Sequence, residues 1–210
     1  MEISIIGTGN MAKGFAGLFA KAGHQVTVVG RDKDKAQAVA NEAGHGVKGS
    51  GFEAAGKSSD VTFLAVPYDA AFDVVGAAGG FDGQIVVDVT NPMKADFSGL
   101  AIGHSTSAAE EIQKKAPGAK VVKAFNTVFA SVLDNGGKAA GTEATVFVAG
   151  DDAEARKQVA ALARSAGFAT VETGGLASAR LLEPVAALNI ALGYGLGHGT
   201  DIAPAWQGIS

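Results

Sequence analysis

The chain contains no cysteine in 210 residues, which excludes disulfides, thiolate metal sites and cysteine nucleophiles. An excess of one charge is also lacking. Its 17 basic and 21 acidic residues leave a net charge of −4, and the basic ones are scattered, so no electrostatic footprint for nucleic acid exists. The four histidines, His24, His45, His104 and His198, show no H-x-x-x-H or H-E-x-x-H spacing, and neither G-x-S-x-G nor a Walker motif occurs. No metal ligands and no catalytic side chain are therefore expected. Met1 to Ile6 has too short an apolar part and no basic lead for a signal peptide. The most apolar stretch, Leu181 to Gly197, is broken by Glu183, Pro184, Asn189 and several glycines, and suits a buried helix better than a membrane span. A soluble, cytoplasmic protein without a membrane partner is the expectation.

Glycine is what the chain has in plenty: 30 residues, about twice the usual share, many where apolar runs end. The runs Ile3–Ile6, Gln25–Val29, Val61–Val66, Gln84–Val89, Lys120–Ala124, Thr145–Ala149 and Phe168–Glu172 read as strands. Between them, Asn10–Ala22, Asp32–Ala43, Tyr68–Ala78, Ser107–Ala116 and Asp152–Ala166 carry helical spacing, and a last helical pattern runs from Leu176 toward Leu196. His45 to Lys57 reads as a polar, glycine-rich loop with a short helical turn near Phe52. Near-continuous apolar strands alternating with helices predict an α/β, Rossmann-like, doubly wound and mostly parallel sheet of about eight strands with a short C-terminal helical segment. The expected division is a dinucleotide-binding unit over 1–175, completed by a C-terminal helix and tail over 176–210 that is not an independent domain.

Gly7-Thr8-Gly9-Asn10-Met11-Ala12 fits G-x-G-x-x-[G/A], directly after the first strand and opening the first helix. That context gives the string its meaning: Gly7 permits the sharp turn, Gly9 lets the backbone approach a pyrophosphate, and the helix start offers free N–H groups. About twenty residues on, where NAD-specific chains place a carboxylate for the ribose hydroxyls, this chain has Gly30. Arg31 follows, with a planar fork suited to a 2′-phosphate, and Lys35 lies one helical turn further. NADP(H) is the expected nucleotide. Asp32 is left open between an N-cap of the next helix and a ribose ligand.

Three loops at the C-terminal sheet edge remain for a second substrate: Val66-Pro67-Tyr68, Thr90-Asn91-Pro92-Met93 and Lys123 to Ala130. They are expected to form an apolar, glycine-rich site with few ionisable groups, which suits hydride exchange between a nicotinamide and a flavin-like ring, where the two cofactors carry the chemistry.

Taken together, "IIGTGNMAKGFAGLFAKAGHQVTVVGR", "DVTFLAVPYDAA", "STSAAEEIQKKAPGAKVVKAFNT" and "GGLASARLLEPVAALNIAL" resemble the deazaflavin (coenzyme F420)-dependent NADP oxidoreductases over nearly the whole chain. The cytosolic domains of membrane ferric reductases share "VVKAFNT". The resemblance implies that Thr8 to Met11, with Arg31 and Lys35, hold the NADP phosphates, and that Val66 and Pro67 lie along the nicotinamide half. It implies that Asn91, Pro92, Phe125, Asn126, Thr127 and Ala130 line the face where the second ring stacks, closed by the helix around Leu188 to Leu192, often across a homodimer contact. The acceptor is a small molecule, coenzyme F420 or a flavin such as FMN or FAD. The tail Gly193 to Ser210, with Trp206, either covers the ring pocket or meets a partner. Two other readings stand beside this one: a non-catalytic NADPH-binding sensor, and an imine or pyrroline reductase, whose "GTGNMA" opening is shared.

Overall fold

The computed structural model describes every residue except Ser58, Gly80, Gln207 and Ser210. In chain order the elements are β1 (Glu2–Ile6), α1 (Asn10–Lys21), β2 (Gln25–Gly30), α2 (Lys33–Ala43), β3 (Lys48–Gly51), β4 (Val61–Leu64), α3 (Tyr68–Ala77) and β5 (Ile85–Asp88). Then follow α4 (Ala108–Lys115), β6 (Lys120–Lys123), α5 (Ala130–Asp134), β7 (Lys138–Ala139), β8 (Thr142–Glu143), β9 (Thr145–Gly150), α6 (Ala153–Ser165), β10 (Ala169–Glu172) and α7 (Ala179–Ile190). One sheet has the order β10-β9-β6-β5-β4-β1-β2-β3. Strands β1 to β6 run parallel, β9 is antiparallel to β6, and β10 is parallel to β9. The β3-β2-β1-β4-β5-β6 part is the doubly wound dinucleotide-binding order.

The central strands are apolar on both sides because helices cover both sides. Ile3, Ile5, Val26 and Val28 meet Phe15 and Phe19 of α1 on one face. Ile6, Val29, Leu64 and Val86 meet Val74 and Val75 of α3 and Ile112 of α4 on the other. The order reverses between β1 and β4, so the chain leaves those neighbouring strands in opposite directions and opens a crevice at their C-terminal ends.

The structure corrects the sequence reading at three places. Lys48–Gly51, expected as loop, is the edge strand β3, paired with β2 from Thr27↔Lys48 to Gly30↔Gly51. It has no apolar alternation to betray it, because its shape is set by the backbone of α2: a Cβ on Gly49 would lie 2.4 Å from Gln37 Cα. The short α5 and the β7–β8 hairpin were not expected either; they are two to five residues long and carry no period. The strand expected over Val61–Val66 stops at Leu64, which frees Ala65 and Val66 to turn into the crevice.

At the C-terminus, a 3-10 turn (Leu176–Ser178), α7 and a π-helical turn (Ala191–Gly195) run on from one another. This stretch is long and apolar enough to cross a membrane by composition, but its inner face, Leu182, Glu183, Ala186 and Asn189, is buried against the domain. The tail then returns over α5. Ser131 Oγ donates to the Thr200 carbonyl at 2.7 Å, and Trp206 packs edge-on against Phe147 of β9 with ring centroids 5.3 Å apart. Trp206 therefore covers β9, not the ring cavity. Gln207 and Ser210 of the expected tail lie outside the described residues.

Candidate functional site

The loops after β1, β2, β4, β5 and β6 border three adjoining cavities of about 350, 310 and 240 Å³. The first and second share Gly9, Ala65, Val66 and Pro67; the second and third share Asn10, Met11, Val89 and Asn91. They form one trough along the C-terminal edge of the sheet. A larger cavity of about 530 Å³ lies elsewhere, by Glu2, Ser4, Gln25 and Lys48 toward the strand starts, where a parallel sheet does not ordinarily bind ligands.

The first cavity is built around the turn after β1. Gly7 has φ +139°, donates its N–H to the Val29 carbonyl at 2.9 Å, and would bring a Cβ to 2.1 Å from the Ala65 carbonyl oxygen. No other residue fits there. Gly9, by contrast, has open space where a Cβ would be, as a position needs when a ligand's backbone approach is the reason for glycine.

The helix starts show how the fold treats this edge. The N-termini of α2, α4 and α6 are capped by the Asp32, Ser107 and Asp152 side chains. Those of α1 and α3 begin at Gly9 and Pro67 with no side-chain cap, and both Gly9 and Pro67 line the trough. The first-turn N–H groups of α1 are left to an anion or to solvent, whereas in α3 the Ala70 amide already donates to the Pro67 carbonyl at 3.0 Å. The residues present thus fit a pyrophosphate at the start of α1.

At the mouth of this cavity stand Gly30 and Arg31. A Cβ on Gly30 would lie 3.0 Å from Thr8 Cγ2 and 3.1 Å from the Asp32 carbonyl oxygen, so the turn is tight even for a small side chain. Asp32 is a cap: its Oδ1 accepts the Asp34 and Lys35 amides at 3.0 and 3.2 Å. Lys35, expected beside Arg31 on the phosphate, is exposed and has its Nζ 3.8 Å from Asp32 Oδ2. It does not line the cavity, whereas Arg31 does and forms no salt bridge among the described residues.

The far cavity brings together Asn91, Phe125, Asn126, Thr127 and Ala130 from the expected set, with Asn10 and Met11. Asn91 and Asn126 are locked to each other: Asn91 Nδ2 donates to the Asn126 carbonyl at 2.8 Å, and Asn126 Nδ2 to Asn91 Oδ1 at 3.0 Å. Buried Asn126 Oδ1 and the buried Thr90 and Thr127 hydroxyls find no partner among the described residues, and a polar ligand can satisfy them. Phe125 borders the cavity, but its ring is fully buried against Phe15, Phe63 and Phe168 at centroid distances of 5.3 to 5.7 Å. It is a core residue, held at φ +61°. Pro92 is buried in its own loop and is not part of the cavity wall.

The wall supplied by α7 is not the one expected. Leu188 is 61% exposed on the outer face, and neither it nor Leu192 lines the cavity. Ala186, Asn189, Ile190 and Tyr194 do, on the helix face set by the i, i+3, i+4 rule. Gly193 belongs to the same side, because a Cβ there would come within 2.9 Å of Phe129 Cζ.

Three ionisable side chains that the sequence reading passed over lie behind the trough. Asp88 and Lys123 are fully buried register neighbours at the ends of β5 and β6, with Lys123 Nζ 2.8 Å from Asp88 Oδ2. Glu183 of α7 lies 2.9 Å from the same ammonium. A lone charge closing each of two apolar strands was the available signal. Tyr68, at the middle cavity, has its phenol pushed up by burial and by surrounding carboxylates, Glu111 first, so it stays a hydrogen-bond donor at neutral pH.

The family model "NADP oxidoreductase coenzyme F420-dependent" matches residues 2–92, which hold the glycine turn, Arg31 and Val66-Pro67. The chain is 30% identical to the rat metalloreductase STEAP3 over 88% of its own length, but spans only 36% of that protein. It also superposes on a solved structure described as an F420-dependent NADP-reductase from Arthrobacter sp. FB24, with TM-score 0.86 and 30% identity, covering 97% of this chain and 99% of that one. With the F420-dependent NADP reductase of Methanothermobacter thermautotrophicus it shares 31% identity over 91% of its length and 89% of the reductase's. Agreement of this extent, across both the glycine turn and the C-terminal helix, makes the chain a member of the coenzyme F420-dependent NADP oxidoreductase family.

Proposed function

We propose that the protein exchanges hydride directly between NADP(H) in the first two cavities and coenzyme F420 in the third, with no protein acid or base in the step. The observation that carries this reading is the makeup of the third cavity. It joins the nucleotide trough through Asn10, Met11 and Asn91, and among the described residues Tyr194 is the only titratable side chain that lines it. Hydride transfer between two rings needs proximity, stacking and exclusion of water more than proton transfer. Arg31 holds the 2′-phosphate, the start of α1 the pyrophosphate, and Val66 and Pro67 flank the nicotinamide half. When bound, the deazaflavin supplies the hydride-accepting ring; Asn126 and Thr127 orient it, and α7 shields it.

The outer face of α7, with Leu181 and Leu188 exposed at 70% and 61%, supports a homodimer contact there. A cytoplasmic setting, where NADPH is kept reduced, suits the reaction. The test is an absorbance assay of the purified protein with NADPH and F420, FMN or FAD in turn. Turnover of F420 above the uncatalysed rate is expected. No turnover of any ring acceptor would remove the reading in favour of an NADPH sensor, and turnover of a cyclic imine in their place would favour the imine reductase.

A further inference from the structure

Glu183 stands in the middle of α7, and the hydride step gives it no task. A carboxylate at 1% exposure costs several kcal/mol to desolvate unless it is well paired, so its partners are informative. Lys123 Nζ lies 2.9 Å from Glu183 Oε1 and 2.8 Å from Asp88 Oδ2, and donates to the Thr90 carbonyl at 2.6 Å. From the other side, the Ala108 and Ala109 amides donate to the two Glu183 oxygens at 3.0 and 3.4 Å. These are first-turn N–H groups of α4, where the helix dipole favours an anion. Burial pushes the Glu183 carboxyl up and Lys123 pulls it down. Four elements meet at this point: the ends of β5 and β6, the start of α4, and α7.

The same helix walls the third cavity one and two turns further on, through Ala186, Asn189 and Ile190. Its other polar ties include the partly exposed Arg180–Glu110 pair to α4 at its start, with hydrogen bonds at 2.8 and 2.6 Å. The Leu182 carbonyl accepts from Asn126 Nδ2 and Asn189 Nδ2 donates to the Thr127 carbonyl, both at 3.1 Å. The apolar contact under its N-terminal half is Ala179 in the cluster with α3 and α4, and Leu182 in a small cluster with Phe147 and Ala149. Apolar contact is non-directional and allows a helix to slide. A buried ion held from several elements fixes register, the best-attested use of such groups.

We propose that Glu183, clamped by Lys123 and the start of α4, is the positioning residue that seats α7 as the wall of the acceptor cavity, so that it governs acceptor binding and leaves NADP(H) binding alone. This rests on the reading of the third cavity as the acceptor site. The phosphate-binding part of the nucleotide half is built on β1, α1 and β2, none of which contributes a group to the ion cluster; the cluster meets the second cavity through the Thr90 carbonyl, a backbone group that Glu183 does not touch.

The test is Glu183→Gln, which keeps the shape and one of the two α4 amide contacts but removes the charge facing Lys123. Expected are a KM for F420 raised about tenfold, as for loss of one charged contact, an NADPH Kd within about twofold of wild type, and faster amide hydrogen exchange confined to α7. An unchanged KM, or an NADPH affinity that falls in parallel, overturns the proposal. If Glu183→Gln does not fold, Glu183→Asp, shorter but still charged, is expected to show the same split to a smaller degree, and a parallel loss there overturns it. If the wild type turns over neither F420 nor FMN, the acceptor reading has failed by itself. Hydrogen exchange with NADPH bound then decides the seating role: faster exchange limited to α7 supports it, and unchanged exchange refutes it.

Discussion

Replacing Arg31 by alanine tests the proposed selection of NADP(H) over NAD(H). Arg31 borders the first cavity, is exposed, and forms no salt bridge among the described residues, so its removal disturbs no internal partner. The contact proposed for it is a charge-assisted fork on a 2′-phosphate. Such contacts contribute about 1.5–3 kcal/mol when shielded, and solvent screening at this exposed position reduces that to about 1–2 kcal/mol. The expected result is NADPH affinity about 5- to 30-fold weaker, with NADH affinity unchanged within about twofold. Lys35→Ala is the internal control: its ammonium lies 3.8 Å from the Asp32 carboxylate and outside the cavity wall, so its effect is smaller, about threefold or less. Titration of each variant with both nucleotides, followed by nucleotide fluorescence at two salt concentrations, measures this. Equal losses for NADPH and NADH, or an effect of Lys35→Ala as large as that of Arg31→Ala, would refute the assignment.

Two further outcomes follow from the caps and ion pairs. Asp32→Ala removes the N-cap of α2 and is expected to cost about 1 kcal/mol in urea unfolding, while Asp32→Asn keeps most of it and NADPH still binds to both. The Glu110–Arg180 pair, with hydrogen bonds at 2.8 and 2.6 Å, ties α4 to α7, and the Arg180 contact holds the Glu110 carboxyl below its ordinary 4.5. A depressed carboxyl stabilises the fold above the unfolded value and loses that contribution as pH falls through the folded one. The stability gap between wild type and Glu110→Gln should therefore be constant above about pH 5 and close below 4.5; a gap that widens on acidification would contradict the pairing.

The parts of the site that were legible in the sequence are those whose cause is local. Gly7 to Ala12 could be read because strand, turn and helix follow one another within one stretch, and the absence of a carboxylate at Gly30 is a single-residue fact. Asp32 was undecided for want of its partners; the Asp34 and Lys35 amides settle it as a cap. What escaped is set by packing between distant segments. β3 is a strand because α2 presses on Gly49, which nothing in "KGSG" announces. The face of α7 that lines the cavity carries alanine, asparagine and isoleucine, while Leu181 and Leu188 point out and Leu182 packs inward, so Leu188 and Leu192, which the resemblance implies, stand on the wrong phase. Phe125, which the resemblance places on the face of the second ring, is drawn inward by the aromatic cluster of α1 and β4. Asp88, Lys123 and Glu183 each look like a stray charge in an apolar run, and only the β5–β6 register and the place of α7 bring them together.

The central claim is direct passage of hydride from nicotinamide to a deazaflavin in the adjoining cavity. Its most direct test is a single turnover with NADPH carrying deuterium at the transferring position of the ring and oxidised coenzyme F420, followed by mass analysis of the reduced deazaflavin. The deazaflavin accepts hydride on carbon, where the label does not wash out. The account predicts one deuterium in each reduced molecule and no label in water; unlabelled product, with the deuterium released to solvent, would contradict it.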